Sequence, residues 1–123
     1  MPDSLQELIQ AIRAVADQRN WEQFHSPKNL AMALAVEAGE LMEHFQWLSG
    51  EQSLNLEPES RHEVAMELAD VLIYLCRLGD RLHIDPVAAA REKMRINEEK
   101  YPVEKALNSA EKYTAWKTQH SKP

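Results

Sequence analysis

Two pairs of acidic residues are the groups of this sequence best suited to metal chemistry. Glu37 and Glu40 form the first pair, and Glu67 and Asp70 form the second. Residues three apart on a helix lie on the same side, so each pair offers two carboxylates in one direction. Carboxylate oxygens suit hard cations such as Mg²⁺, Mn²⁺ or Ca²⁺. If two helices bring the pairs together, the four residues predict a site for a divalent cation.

Both pairs lie beside apolar rows whose spacing predicts amphipathic helices. A carboxylate buried unpaired at such a position is unfavourable, so a bound cation is the simplest compensation. Solvated helix faces with surface ion pairs are the alternative interpretation. His44, which falls between leucines of the first row, fits either a ligand or a packed residue. The two rows are Leu30, Leu34, Leu41 and Leu48, and then Val64, Leu68, Val71, Leu75, Leu78 and Leu82.

Helix signals cover most of the chain, which is rich in good helix formers and has only three Gly residues. Ser26 before Pro27 and Asp85 before Pro86 are typical helix starts, and Ser4 is typical of an N-cap. The predicted helices cover residues 4–19, 27–48, 58–82 and 86–100, with Ser49-Gly50 ending the second and a polar loop after it.

The length and composition predict one domain, because 123 residues with 44% hydrophobic content suffice for a single core. We expect an all-α, four-helix bundle over residues 1–102 and a polar C-terminal tail over residues 103–123. The net charge is −6, and residues 37–70 hold nine acids against Arg61. This charge would repel nucleic acid polymers and attract cations. The single Cys76 fits a cytoplasmic protein, and no apolar run predicts a membrane span.

Two further regions carry candidate binding residues. Aromatic faces in the loop before the second helix suit stacking on a nucleobase, although covering the end of the bundle is an equal alternative. The polar groups of that loop could meet phosphates or base edges. Cations on the fourth helix suit either ion pairs or polyphosphate oxygens. The residues concerned are Trp21, His25, Lys28 and Asn29 in the loop, and Lys93, Asn97 and Lys100 on the helix.

Several short segments together resemble a known family. They are Trp21-Glu22-Gln23-Phe24-His25, Glu37-Ala38-Gly39-Glu40, Phe45-Gln46-Trp47, Glu67-Leu68-Ala69-Asp70 and the continuation to Leu75, Lys93-Met94, Ile96-Asn97 and Tyr101-Pro102. With 26 residues between the two acidic motifs, the pattern resembles the MazG-like, all-α nucleoside triphosphate pyrophosphohydrolases, and most of all their dCTP pyrophosphatase branch. The likeness covers residues 5–102.

The resemblance implies an oligomeric helical bundle, a homodimer or homotetramer, that binds Mg²⁺ with Mn²⁺ as the alternative ion. It implies metal ligands at Glu37, Glu40, Glu67 and Asp70. The implied reaction is hydrolysis of dCTP or a related (d)NTP to the monophosphate and pyrophosphate, which cleanses the nucleotide pool. Glu37 or Glu40 would orient or deprotonate the attacking water.

The resemblance also implies a nucleotide pocket, in addition to the loop and helix residues named above. Its implied members are Trp21, Trp47, Tyr74, Lys93, Asn97 and Tyr101, while His25, Lys28, Asn29 and Lys100 are the candidates from their chemistry. We expect Lys93 and Lys100 to stabilise charge on the leaving pyrophosphate.

Two positions depart from the family pattern, and two other protein classes compete with it. Val36 stands where the wider family often has a further Glu, which bears on the number of metal ions. Ile12 stands where the dCTP branch tends to have a His near the base. The rivals are a di-iron carboxylate protein, for which Glu59 and His62 give one E-x-x-H, and a non-catalytic helical interaction protein.

Overall fold

The computed structural model describes residues 4–107, and this part of the chain is helical without any β-strand. The predicted all-α class is confirmed. Its elements in chain order are α1 (Leu5–Gln18), a 3₁₀ helix (Trp21–Gln23), α2 (Pro27–Glu43), α3 (Gly50–Ser53), α4 (Pro58–Arg81), α5 (Pro86–Lys100) and α6 (Val103–Ala106).

Serine side chains start the first two helices, as the sequence predicts. The Ser4 hydroxyl accepts the Glu7 N–H at 3.1 Å, and the Ser26 hydroxyl accepts the Asn29 N–H at 3.1 Å. Each bond satisfies a backbone donor that the first turn of a helix leaves without a partner. Pro27 occupies the start of α2, where its missing N–H costs nothing.

The end of α2 differs from the prediction. The helix stops at Glu43 rather than near Leu48, and residues 44–48 form turns. Ser49 does not end a helix but begins the short α3, because its hydroxyl accepts the Gln52 N–H while the Gln52 side chain accepts the Ser49 N–H. This reciprocal capping box favours a new helical start over a loop.

α2 and α4 form the main helix pair and run antiparallel. His25, just before α2, bonds to Arg77 near the end of α4. His44, just after α2, lies 3.8 Å from Glu67 in the first half of α4. The two contacts therefore bring the start of one helix to the end of the other. This is the arrangement that the two acidic pairs needed in order to meet.

α1 packs against α4 and runs parallel to it. Leu8 and Leu72 line one cavity near the start of α1, and Arg13 pairs with Asp80 further along both helices. The core of this helical layer is small. Its buried apolar residues are Ala16, Leu30, Val64 and Cys76.

The predicted apolar row of α4 is not one buried stripe. Val64 is buried, but Leu68, Leu75 and Leu82 are 54%, 43% and 46% exposed. The prediction that these leucines pack in the core of the chain was wrong. α4 carries apolar side chains on more than one face, and α2 packs on the row that includes Glu67. Leu68, Leu75 and Leu82 consequently stay partly exposed in the described part of the chain, while Val71 and Leu78 of the same row are half-buried.

The chain divides into two compact units after Asp85, and α5 and α6 belong to the second. The predicted division into residues 1–102 and 103–123 stays a prediction, since α6 occupies the first residues of the proposed tail and the rest lies outside the described residues. No helix within residues 4–107 is both long and apolar enough to cross a membrane.

Candidate functional site

Three of the four predicted metal ligands meet between α2 and α4. One carboxylate oxygen from each of Glu37, Glu67 and Asp70 lies within 4.8 Å of the others. We call these residues the acidic triad. Glu37 comes from the middle of α2, and the other two are one turn apart on α4. The antiparallel pairing of the helices is therefore what assembles the triad.

The triad has two carboxylate oxygens that lack partners. Oε2 of Glu37 and Oε2 of Glu67 are buried, and within the described residues neither accepts a hydrogen bond. Burial, the adjacent Glu40 carboxyl and the charges of Asp70 and Glu67 together raise the pKa of Glu37 to about 7. Buried acceptors normally have partners, so two unpaired carboxylate oxygens this close together favour binding of a positively charged ligand. A divalent cation fits this set of oxygens.

Glu40 is not a member of the triad. Its side chain is exposed, although its carboxyl is close enough to Glu37 to contribute to the raised pKa of that residue. Its predicted roles, as a metal ligand and as a catalytic carboxylate, stay predictions. Glu59 and His62, the E-x-x-H of the di-iron alternative, are both exposed and do not belong to the triad.

His44 lies at the edge of the acidic triad. Its Nε2 is 3.8 Å from Glu67 Oε1, and its Nδ1 is 4.0 Å from Glu63 Oε2. These distances exceed those of hydrogen bonds. The half-buried position of the ring is compatible with both roles that the sequence allows for His44, a metal ligand or a packed residue. When protonated, the imidazole would form ion pairs with both glutamates.

The segment of residues 20–26, which we call the aromatic loop, connects α1 to α2. Its Trp21 is 40% exposed and its Phe24 is 60% exposed, so within the described chain these rings do not seal the end of the helices. The His25 ring lies 5.7 Å from the Trp21 ring at an angle of 55°, and the Arg19 guanidinium lies 5.6 Å from the centre of the Trp21 ring. Trp21 therefore has its orientation restrained by both neighbours.

The remaining predicted binding residues of the first unit differ in exposure. Trp47 is 87% exposed on the turns after α2, Lys28 is exposed, and Tyr74 is half-buried on α4. The Asn29 amide donates to the Phe24 carbonyl oxygen at 3.1 Å, so this side chain stabilises the aromatic loop. An isolated tryptophan that is almost fully exposed contributes little to packing of the chain that bears it.

The predicted phosphate-binding residues lie in the second unit. Lys93, Asn97 and Lys100 are on α5, and Tyr101 follows it directly, with its N–H bonded to the Asn97 carbonyl oxygen at 2.7 Å. Their assignment to the nucleotide stays a prediction.

A group of arginines at the C-terminal end of α4 was not predicted from the sequence. Its members join α1, the aromatic loop and α4 by ion pairs and hydrogen bonds, and we call the group the arginine network. The signal was present, because Arg77 and Arg81 continue the helical row that contains Glu67, Asp70 and Tyr74. The members are Arg13, Arg77 and Arg81 with their partners Glu22, His25 and Asp80.

The helical fold and the acidic triad agree with what the comparisons with known proteins show. A model of the MazG-like family matches residues 32–115, which include both acidic pairs. The chain belongs to the MazG-like family.

Its relatives include dCTP pyrophosphatase 1 of Rattus norvegicus, which is 45% identical over 118 residues, or 92% of this chain and 68% of the relative. The Homo sapiens protein of the same name is 44% identical with the same coverage. Among solved structures, a pyrophosphatase from Archaeoglobus fulgidus is 41% identical with a TM-score of 0.76, over 83% of this chain and 95% of that one.

Proposed function

We propose that this protein is a Mg²⁺-dependent nucleoside triphosphate pyrophosphohydrolase that converts dCTP or a related (d)NTP into the monophosphate and pyrophosphate. The observation that carries the proposal is the acidic triad with two buried oxygens that lack partners. Membership of the MazG-like family and the names of the relatives, dCTP pyrophosphatase 1, supply the reaction and the favoured substrate.

Glu37, Glu67 and Asp70 would hold the cation, with Glu40 as a fourth ligand if its side chain turns toward Glu37. Mn²⁺ is the alternative ion, because it takes the same oxygen ligands. When bound, the cation supplies Lewis acidity at the phosphate oxygens and at a coordinated water.

The protein's own contribution to the reaction is to place a carboxylate beside the water. Glu40 is the better candidate for this role than Glu37, because it is exposed and outside the triad. A carboxylate within hydrogen-bond reach of a water can orient it or take its proton. Lys93 and Lys100 on α5 are proposed to stabilise the charge of the departing pyrophosphate, with Asn97, Tyr74 and Tyr101 near the nucleotide.

The base is proposed to stack on an exposed indole, either Trp21 in the aromatic loop or Trp47 in the turns after α2. These two residues lie at opposite ends of α2, so both could contact one base only if they came from different copies of the chain. Trp21 and Trp47 offer exposed indole faces, and stacking on them is worth about 1–3 kcal/mol per base. His25 adds a polar group beside Trp21, and Lys28 and Asn29 in the first turn of α2 are proposed to meet phosphates or base edges. The proposed preference for dCTP is based on the names of the relatives. Ile12, at the position where the dCTP branch tends to have a His, has no polar group that could contact a base.

The proposed enzyme is a cytoplasmic homodimer or homotetramer in which four helices complete each bundle. The exposed leucine row of α4, which includes Leu68 and Leu75 with Leu72 beside it, is too apolar to face water over its whole length. A second copy of the chain would cover it. Light scattering that finds a monomer at micromolar concentration would contradict this assembly.

A substrate screen tests the proposed function directly. The purified protein is incubated with each canonical and modified (d)NTP, with Mg²⁺, with Mn²⁺ and with EDTA, and the products are separated. We expect metal-dependent release of pyrophosphate, with dCTP or a modified dCTP turned over fastest. Release of inorganic phosphate instead of pyrophosphate, or no turnover of any nucleotide, would overturn the proposal.

A further inference from the structure

Arg77 is a buried charged residue, with 4% of its surface exposed, and it bonds to the aromatic loop rather than to water. Its Nε–H donates to His25 Nδ1 at 3.1 Å, and its NH1 lies 3.4 Å from Asp80 Oδ2. A buried guanidinium usually stabilises a fold no better than an apolar side chain of the same size. The directed bond to the imidazole suggests that Arg77 has a role beyond packing.

The bond from Arg77 determines where the proton of His25 resides. Arginine only donates and does not lose its charge, so Nδ1 of His25 must be the acceptor. A neutral imidazole that accepts at Nδ1 carries its hydrogen on Nε2. Burial, and then the charges of Arg77 and Arg81, lower the pKa of His25, which keeps the ring neutral. The ring therefore offers a ligand one hydrogen-bond donor, Nε2–H.

A second arginine fixes the backbone of the same residue. Arg81 Nε–H donates to the His25 carbonyl oxygen at 3.0 Å, and its NH1 pairs with Glu22. The His25 ring in turn lies against Trp21. The position of the Trp21 indole is thus linked through His25 to α4.

Arg77 is itself held in place from α1. Asp80 accepts two hydrogen bonds from Arg13, at 2.9 Å from Nε and 2.5 Å from NH2, and Asp80 is also the partner of Arg77. The charged groups around His25 are therefore Arg77 and Arg81 from α4 and Glu22 from its own loop, with Asp80 and Arg13 behind them. Every one of these charges has a partner of opposite sign or the imidazole.

We propose that Arg77 is a positioning residue for nucleotide binding, which fixes His25 as the neutral Nε2–H tautomer and so presents a single donor beside Trp21. The ligand group that fits this donor is a hydrogen-bond acceptor on the edge of a base, such as a pyrimidine carbonyl oxygen or an unprotonated ring nitrogen. The inference rests on the proposed function, because it assigns Trp21 and His25 to the nucleotide.

The first test replaces Arg77 with Met, which keeps the bulk of the side chain and removes the donor. ¹⁵N NMR of the histidine rings then reports the tautomer of His25 in the free protein. We expect the wild type to show the Nε2–H form, and Arg77→Met to show a mixture of tautomers and a raised His25 pKa. Arg77→Lys, which retains a charged donor, should restore the Nε2–H form.

Kinetics test the link to the substrate. Loss of one oriented hydrogen bond corresponds to about a tenfold change in binding, so Arg77→Met should raise KM about tenfold with kcat changed far less. Cys76→Ala is the matched control, because Cys76 is the fully buried neighbour on α4 and contacts neither His25 nor Asp80 by a polar bond. It should lower stability without raising KM or altering the tautomer.

A second pair of variants serves if Arg77→Met does not fold. His25→Asn keeps an acceptor near the position of Nδ1, whereas His25→Gln can place an amide donor near the position of Nε2. The proposal predicts a lower KM for His25→Gln than for His25→Asn. Equal KM values in this pair would overturn it, as would an unchanged tautomer in a folded Arg77→Met. Wild-type protein without pyrophosphate release would contradict the proposed function, while the tautomer measurement would still show whether Arg77 fixes the tautomer of His25.

Discussion

Two regions of the α2–α4 pair hold charged clusters that are built in opposite ways. In the middle of the pair the acidic triad gathers three carboxylates, and two of its buried oxygens have no partner in the described chain. At the end formed by the start of α2 and the end of α4, the arginine network pairs Arg13 with Asp80, Arg81 with Glu22 and Arg77 with both Asp80 and His25.

This difference indicates that the acidic triad is built to bind a ligand, whereas the arginine network stabilises the fold. Unpaired buried acids of like charge repel each other, and this cost is relieved when a proton or a cation binds. Paired charges need nothing further, so the arginine network is complete in the protein alone. The same helices thus provide a reactive middle and a rigid end, and the aromatic loop is attached to the rigid end.

The largest expected effect comes from removing one charge of the triad. Glu67→Gln should lower turnover at least about 100-fold. Even residues that only hydrogen-bond to a metal ligand change metal affinity or activity by about 10–100-fold when they are replaced. The fold should survive, and stability without metal should rise because repulsion is eased. Pyrophosphate release and melting temperature are the measurements.

The control for that variant is Glu59→Gln, the same change at an exposed residue in the first turn of α4. It should alter stability by no more than about 0.5 kcal/mol and leave turnover near normal. Equal losses in the two variants would mean that the triad has no special place in the reaction.

Substitutions in the arginine network should lower the stability of the fold more than they lower the rate of the reaction. The hydrogen bonds of Arg13 lower the pKa of Asp80, so this pair stabilises the fold above the ordinary pKa of an aspartate. That stability is lost as the pH falls through the lowered pKa of the folded state. Asp80→Asn should therefore cost about 2 kcal/mol at neutral pH and flatten the acid side of the stability curve.

Urea unfolding between pH 2 and pH 7 measures both effects. Glu51→Gln, at an exposed acid of α3 outside the arginine network, is the control and should keep the shape of the curve. An Asp80→Asn protein with wild-type stability at every pH would show that the network contributes no rigidity.

Trp47 tests whether the exposed aromatic side chains belong to the site. Since it is 87% exposed, Trp47→Ala should change stability by less than about 0.5 kcal/mol but raise KM about tenfold. Leu54→Ala, at a residue 83% exposed, is the matched truncation and should leave KM alone. A melting temperature that falls sharply while KM stays constant would assign Trp47 to packing.

Helical periodicity predicted that Glu37, Glu67 and Asp70 would meet if the two helices paired, and the structure brings these three carboxylates together while Glu40 stays outside. The periodicity did not show which face of α4 is buried, because leucines and glutamates form adjacent rows on this helix. The packing of α2 determines that the row with Glu67 faces α2. For the arginine network the sequence showed only that Arg77 and Arg81 continue the row of Glu67. Their partners in the aromatic loop, 52 and more positions away along the chain, are determined by the packing of α1 and the aromatic loop on α4. Ser49 and Gln52 have the spacing of a capping box, which indicates the start of α3. The Gly50 between them instead favoured the prediction that a helix ends here.

The central claim is that the acidic triad is completed by a divalent cation, and a Mg²⁺ titration of thermal stability tests it most directly. The pKa of Glu37 is raised to about 7, above its ordinary value. Metal-free protein should therefore lose stability as the pH rises from the ordinary pKa of a glutamate to about 7, because over this range the unfolded chain has released a proton that folded Glu37 still holds, and the loss should level off above about 7.

At pH 8, Mg²⁺ should raise the melting temperature of the wild type in proportion to the logarithm of its concentration once the site is saturated. The effect should weaken below about pH 7, where protons compete with the cation, and should nearly vanish in Glu67→Gln. A wild-type melting temperature that does not respond to Mg²⁺ at pH 8, or an equal response in Glu67→Gln, would contradict the account.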